Sequence, residues 1–316
     1  MTRTSVRATI TNVFIFANHR ARYLSAALAE LVQCDAVQRG DAEVVILADR
    51  PSLVQALQVR HTLRDVAKIS VTPTLIHRRG NSYWRKLAHL ADSTSEYVVK
   101  CDEDIFMTSA SWDSLLSQTP EKGVVLTPIL STGIPTVEYF LENCNDKIFV
   151  SEIRRIFESQ VIPNAWGQDY STLKPYTSSN RAPYFESVDG LSTNLKGVHP
   201  IRFSSEAQWR LAEHCAEQSW WRTPLSPKRV EMEYPYLCNS LILTSPAVYA
   251  DLIKDVKVGR RPFDGYDEIG LNMQAQEGRL SVEVLLGCHG VHPSYNSIGP
   301  EYVEISDFVF REVPRR

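Results

Sequence analysis

No stretch of this chain approaches the roughly 18 apolar residues that a membrane-spanning helix needs. Met1 to Ile10 is polar, with no apolar core of the secretory kind, so a cytoplasmic protein is expected. The cysteines, at positions 34, 101, 144, 215, 238 and 288, are scattered and form no Cys-x-x-Cys pair. Dithiol and zinc-ribbon chemistry are thereby set aside, and the thiols read as buried and free. Charge of one sign is also lacking: the formal net charge is −3, which gives no support to broad nucleic-acid or membrane binding. Only Lys257, Arg260 and Arg261 around Gly259 form a local basic patch. Repeats and low-complexity tracts are absent. The loop after the first strand-like run, Ala17-Asn18-His19-Arg20, contains no glycine and so no glycine-rich cradle for phosphate.

What is present is an ordinary globular composition, 43% hydrophobic and 22% charged over 316 residues, enough for one large domain or two smaller ones. The first half alternates strand-like and helix-like stretches, the pattern of a mostly parallel sheet covered by helices. Strands are expected at Thr11 to Ala17, Glu43 to Ala48, Ile69 to Ile76 (interrupted by Pro73), Tyr97 onward, and Gly123 to Pro128. Helices are expected from about Arg20 to Val32, after Pro51, from Ser82 to Leu90, around Trp112 to Leu116, and as one long element from Thr136 to Gln160. From about Pro163 to Pro235 the alternation breaks into an irregular stretch rich in aromatic residues, prolines and polar turn residues, among them Trp166, Tyr170, Trp209, Trp220 and Trp221. A strand at Leu237 to Thr244 and a helix at Pro246 to Val256 follow. The divisions expected are 1–130, a helical and irregular region at 131–236, and 237–316.

The most informative feature is Asp102-Glu103-Asp104, which closes the run Tyr97-Val98-Val99-Lys100-Cys101. Residues two apart in a strand share a face, so Asp102 and Asp104 are placed to converge while Glu103 points away. Paired carboxylates suit a hard cation such as Mg²⁺ or Mn²⁺. Ligands of open α/β sheets gather outside the carboxyl ends of the strands, where this pair falls.

The segment from Asn81 to Met107 (NSYWRKLAHLADSTSEYVVKCDEDIFM), a helix, a polar turn and a strand ending in an Asp-x-Asp motif, resembles nucleotide-sugar glycosyltransferases of the A-type fold. By order of elements the likeness extends over roughly residues 11–130 and 237–296, and it implies a nucleotide-sugar donor-binding half at 1–130, an acceptor-side region at 131–236 and a C-terminal part of the catalytic domain at 237–316. The resemblance implies a Rossmann-like α/β fold and Mn²⁺ or Mg²⁺ bridging a donor diphosphate. Asp104 would be the direct ligand, and Asp102 would touch the donor ribose or the metal through water. It further implies donor contacts over the first two strand ends, at Asn18, Arg20 and above all Asp49, whose carboxylate can accept from a pyrimidine N–H, or else cap a helix beside Pro51; a UDP-sugar is favoured. Lys86 or Arg85 would reach the nucleotide from the following helix.

Two later clusters complete the implied site. Asp267 and Glu268, with Asp264 behind them, match the acidic pair that supplies the general base in inverting members; carboxylates in a first helical turn also simply suit the helix dipole. His289 and His292 sit in the glycine-containing loop expected from Gly287 to Asn296, directly after the strand-like Val282 to Leu286. A late histidine completes the metal site in several A-type enzymes, and His292 is favoured over His289. The expected activity is transfer of a sugar from a nucleotide diphosphate to a hydroxyl acceptor with inversion. The acceptor class stays open and includes glycan, lipid, protein, metabolite and nucleobase. A nucleotidyltransferase making a sugar nucleotide and a non-catalytic nucleotide- or glycan-binding module are the competing readings.

Overall fold

The computed structural model describes residues 11–17, 21–74, 86–90, 95–130, 136–159, 206–207, 210–211, 214, 227–232, 240–257 and 267–292. Among these residues, eight strands form one sheet in the order β3-β2-β1-β4-β7-β5-β8-β6. They are β1 (Thr11–Ala17), β2 (Ala42–Ala48), β3 (Ile69–Pro73), β4 (Tyr97–Asp102), β5 (Val124–Leu130), β6 (Lys228–Glu231), β7 (Leu241–Thr244) and β8 (Ser281–Gly290). Strands β1 to β4 pair in parallel, and so do β5 and β8; β7 runs antiparallel to both β4 and β5, and β6 antiparallel to β8. The fold is mixed α/β with a mostly parallel central sheet flanked by helices, the class expected from the alternation in the sequence.

The strands form where β-branched and aromatic residues run without interruption, because a sheet covered on both faces is apolar throughout rather than alternating. On one face, Val13, Ile15, Val44, Ile46, Val99 and Cys101 pack against Leu24, Leu28, Trp112 and Leu115. These come from α1 (Ala21–Leu31) and α4 (Ser109–Leu116), with α2 (Asp35–Gln38) and α3 (Leu53–Leu63) in the same layer. On the other face, Phe14, Val45, Leu47 and Val98 meet Phe140, Phe149, Ile153, Tyr249 and Leu271. Those side chains belong to α5 (Thr136–Asn143), α6 (Lys147–Ser159), α7 (Pro246–Lys257) and α8 (Asp267–Gln276).

Three elements differ from expectation, each for a local reason. The single helix expected over 136–160 is two, α5 and α6, because Asn143 Nδ2 turns back to the Tyr139 carbonyl and Asp146 Oδ1 caps the Phe149 N–H. Strand β6 lies inside the stretch read as irregular, pairing Lys228 to Glu231 with Leu286 to Glu283. Strand β8 continues through Gly287 to Gly290, a stretch expected to be loop.

The order of connection creates a switch point. From β1 the chain moves outward to β2 and β3, then returns to β4 on the other side of β1. Adjacent connections leaving in opposite directions open a crevice above the carboxyl ends of β1 and β4.

Candidate functional site

Strand β4 brings Asp102 to this crevice, opposite Phe16 of β1, with its backbone N–H donating to Ser240 O at 2.8 Å. The chain then turns, with Ile105 N–H reaching back to Asp102 O at 3.4 Å. Asp104 lies in this turn rather than in the strand. The two carboxylates therefore approach through the turn and not through the pleat, which is a correction to the spacing argument. Asp104 is buried, the Asp102 side chain is about a third exposed (33%), and Glu103 is buried as well.

His292 arrives from the opposite direction. Strand β8 follows β5 in register until Pro128 faces Leu285; the next β5 residue, Ile129, faces His289. The extra residues of β8 form a bulge, and Gly287, at φ +86°, takes the left-handed conformation that it requires. Beyond the bulge, Phe106 and Val291 form an isolated antiparallel bridge with N–H···O bonds of 2.9 and 2.8 Å. A Cβ on Gly290 would lie 2.9 Å from Met107 Cγ and 3.0 Å from Leu130 Cδ2. Glycine is what lets β8 close onto the segment that follows the acidic turn.

The bridge sets His292 beside Asp104, with Nε2 3.6 Å from Oδ1. One donor atom each from Asp102, Asp104 and His292 lies within 4.8 Å of the others. Two carboxylates and an imidazole on one small patch fit a divalent ion that keeps positions for phosphate oxygens and water, as Mn²⁺ and Mg²⁺ do. His289 is not part of this group: it is buried, stands edge-on to Phe140 at 5.9 Å between ring centroids, and its burial pushes its pKa down to about 3.

Beneath Asp102 is Lys100, only 4% exposed, with Nζ donating to Asp102 Oδ1 at 2.7 Å and lying 5.1 Å from the centroid of the Phe16 ring. Burial raises the Asp102 carboxyl above its ordinary value; Lys100 opposes that shift, Asp104 adds to it, and His292 opposes it. Lys100 was not singled out from the sequence. The available signal was a lysine two residues before an aspartate in a run buried on both faces, a spacing that puts both on the same face with a partner in reach.

The remaining sequence candidates are less gathered. Asp49 follows β2 and accepts the Ser52 N–H on Oδ1 at 2.9 Å, organising the start of α3; its own N–H is 3.5 Å from Ala17 O, joining the ends of β1 and β2. Lys86 is half-buried at the start of a helical segment over residues 86–90. The backbone of Asp267 and Glu268 opens α8, while their side chains, together with Asn18, Arg20, Arg85 and Asp264, lie outside the described residues. Cys34, Cys101, Cys144 and Cys288 are buried and free; burial pushes Cys34 up to about 12 and raises the other three, so none is a thiolate nucleophile at neutral pH. Among the described residues, no helix is long and apolar enough to cross a membrane.

No family model and no curated protein matches the chain. Among solved structures, similarity extends to a mannosyltransferase from Pyrobaculum calidifontis in complex with GDP-Man and Mn²⁺, at 11% identity and TM-score 0.44 over 89% of this chain. The chain covers 56% of that protein. A second is GalNAc-T7 with UDP, GalNAc and Mn²⁺, at 12% identity and TM-score 0.45, covering 95% of this chain and 48% of that one. A third is a 4-diphosphocytidyl-2C-methyl-D-erythritol synthase from Anaerococcus prevotii, at 10% identity and TM-score 0.46 over 96% of both chains. Scores at this level carry no argument about activity, which rests on the residues of this chain.

Proposed function

We propose that this protein is a metal-dependent glycosyltransferase that takes a sugar from a nucleotide diphosphate, a UDP-sugar in the first instance, and delivers it to a hydroxyl acceptor with inversion. The observation that carries the reading is the convergence of Asp102, Asp104 and His292 above the switch point between β1 and β4. A crevice at that place takes nucleotides in open α/β sheets, and the donor set suits an ion shared with a diphosphate. Asp104 and His292 hold the ion, with Asp102 serving either the ion or the donor ribose. When bound, the ion supplies charge stabilisation to the departing nucleoside diphosphate.

The chain's own groups do the rest. Asp49, at the joined ends of β1 and β2, is assigned to the edge of the pyrimidine. Asn18 and Arg20 are assigned to the nucleotide on their match to the first donor-side loop, and Lys86 from the start of the helical segment over residues 86–90. Asp267 or Glu268, in the first turn of α8, takes the proton from the acceptor hydroxyl as the new glycosidic bond forms.

The test is a panel of nucleotide sugars scored for Mn²⁺-dependent hydrolysis, followed by an acceptor screen with the preferred donor. Release of nucleoside diphosphate that Asp104→Asn abolishes is the expected result. Pyrophosphate release from a nucleoside triphosphate and a sugar phosphate would replace this reading with nucleotidyl transfer. A product that retains the donor's anomeric configuration would remove Asp267 and Glu268 from the role of base.

A further inference from the structure

We infer that Lys100 is a positioning residue and a resident counter-cation of the metal site: it commits one oxygen of Asp102, leaves the other for ligands, and keeps the free site from holding a divalent ion tightly before the anionic donor arrives. The inference rests on the metal reading above and concerns how that site is charged.

The geometry carries it. Lys100 lies on the same face of β4 as Val98 and Asp102, faces Phe14 in the strand register, and has Phe16 under its ammonium. An ammonium placed among Val98, Phe14 and Phe16 costs stability unless it is paired, and a buried pair seldom repays its desolvation in full. Stability is therefore a poor account of a lysine at the centre of an otherwise apolar strand. Its reach is short and directed: Nζ meets Asp102 Oδ1 at 2.7 Å from below, while Asp102 remains about a third exposed on the crevice side.

Two effects follow. The carboxylate is held in one orientation, so that its remaining oxygen is offered to whatever enters the crevice. The cluster also carries a positive charge that no diphosphate or metal has to bring. Asp102 and Asp104 together bring two negative charges to the site, and paired carboxylates bind divalent ions tightly. With Lys100 in place the free site is half neutralised, and tight binding of the ion waits for the negative charge of the donor diphosphate. Ion and diphosphate then enter and leave as a coupled pair.

The probe is Mn²⁺ alone, titrated without nucleotide and followed by the paramagnetic resonance of the free ion. In the wild-type protein binding is weak. Lys100→Met, which keeps an unbranched apolar stem and removes the charge, is expected to bind Mn²⁺ about ten- to a hundredfold more tightly, the size of a charge a few ångströms from a divalent ion when screening is close to that of water. Lys100→Arg, which keeps the charge, is expected to stay within about threefold of wild type. In the Asp102→Asn background Lys100→Met should still tighten Mn²⁺ binding, because the charge of the ammonium acts on the ion directly as well as through that carboxylate.

Unchanged or weaker Mn²⁺ binding in a Lys100→Met protein with an intact thermal melt would overturn the inference, as would Lys100→Arg behaving like Lys100→Met. If Lys100→Met fails to fold, Lys100→Gln takes its place; failure of both makes the lysine a folding requirement and overturns the inference too. If wild type and Asp104→Asn bind Mn²⁺ identically, the metal reading itself fails, a result distinct from any of these.

Discussion

The two sides of the sheet are built differently. From β3 to β4 the strands are all parallel and the registers continuous: seven consecutive pairs join β1 to β2 and six join β1 to β4. From β7 to β6 the directions are mixed, β7 and β6 running antiparallel to their neighbours while β5 and β8 are parallel, and β5 and β8 slip register around a bulge. The regular side presents a row of strand ends suited to a nucleotide and supplies Asp102 and Asp104. The irregular side supplies His292, and the bulge is what lets it do so. Regular pairing builds a platform, and a break in pairing aims a side chain at it.

The contrast can be broken or sharpened in four ways. The largest effect is expected for Asp104→Asn on the regular side: Mn²⁺-dependent donor hydrolysis should fall by about a hundredfold or more, since an ion at a departing diphosphate contributes several kcal/mol. A loss below about threefold would take Asp104 out of the site.

On the irregular side, His289 is buried neutral, with its pKa lowered to about 3 by burial against an ordinary value near 6.5. Because the unfolded chain takes up a proton that the folded chain refuses, the contribution of this histidine is present above about pH 6.5 and is lost as the pH falls towards about 3. The slope is about 1.4 kcal/mol per pH unit across that window. Denaturant titrations from pH 7 to 4 on wild type and His289→Phe should differ by this slope; parallel curves would show that the ring is not kept neutral.

Gly287→Ala tests the bulge itself. A non-glycine residue in the left-handed conformation costs about 1–2 kcal/mol, and displacement of the strand end should weaken Mn²⁺ binding as well. Full retention of affinity would separate His292 from the bulge. The smallest effect is expected at Asp49. Asp49→Ala removes an acceptor at the start of α3 and should cost about 1 kcal/mol, read as a lowered Tm. A rise in donor KM beyond that, absent for a purine nucleotide sugar, is the mark of pyrimidine recognition.

The regular side was the more legible in sequence, for a physical reason. Strands such as TNVFIFA and AEVVILA are covered on both faces, so their composition alone betrays them, and their mutual register follows from parallel crossovers of ordinary length. The ends of β8 could not be read in this way. Gly287 breaks an apolar run as a loop would, and only pairing with β5 and Phe106 shows that the strand continues. The interruption between α5 and α6 was visible in principle: Asn143-Cys144-Asn145-Asp146 is a run of turn and capping residues, outweighed by the helical period on either side. At the site, the resemblance put the acidic motif and His292 together, but the means of their meeting was not readable, because it depends on a bridge between Phe106 and Val291. Lys100 was hidden by its surroundings, since a single charge inside a β-branched run resembles an edge residue until its partner is seen.

That bridge has a consequence for how the protein comes to possess its site. The acidic turn and the histidine lie far apart in the sequence, at residues 102–104 and 292, and they meet only after β8 has inserted between β5 and β6 and closed onto Phe106. Pairings of such long sequence separation form late, because the entropy of closing the loop precedes the contacts that reward it. On the proposed reading, occupancy by a divalent ion would be a certificate of completed folding: a chain whose regular side has formed but whose last strand has not docked would hold both carboxylates without the histidine.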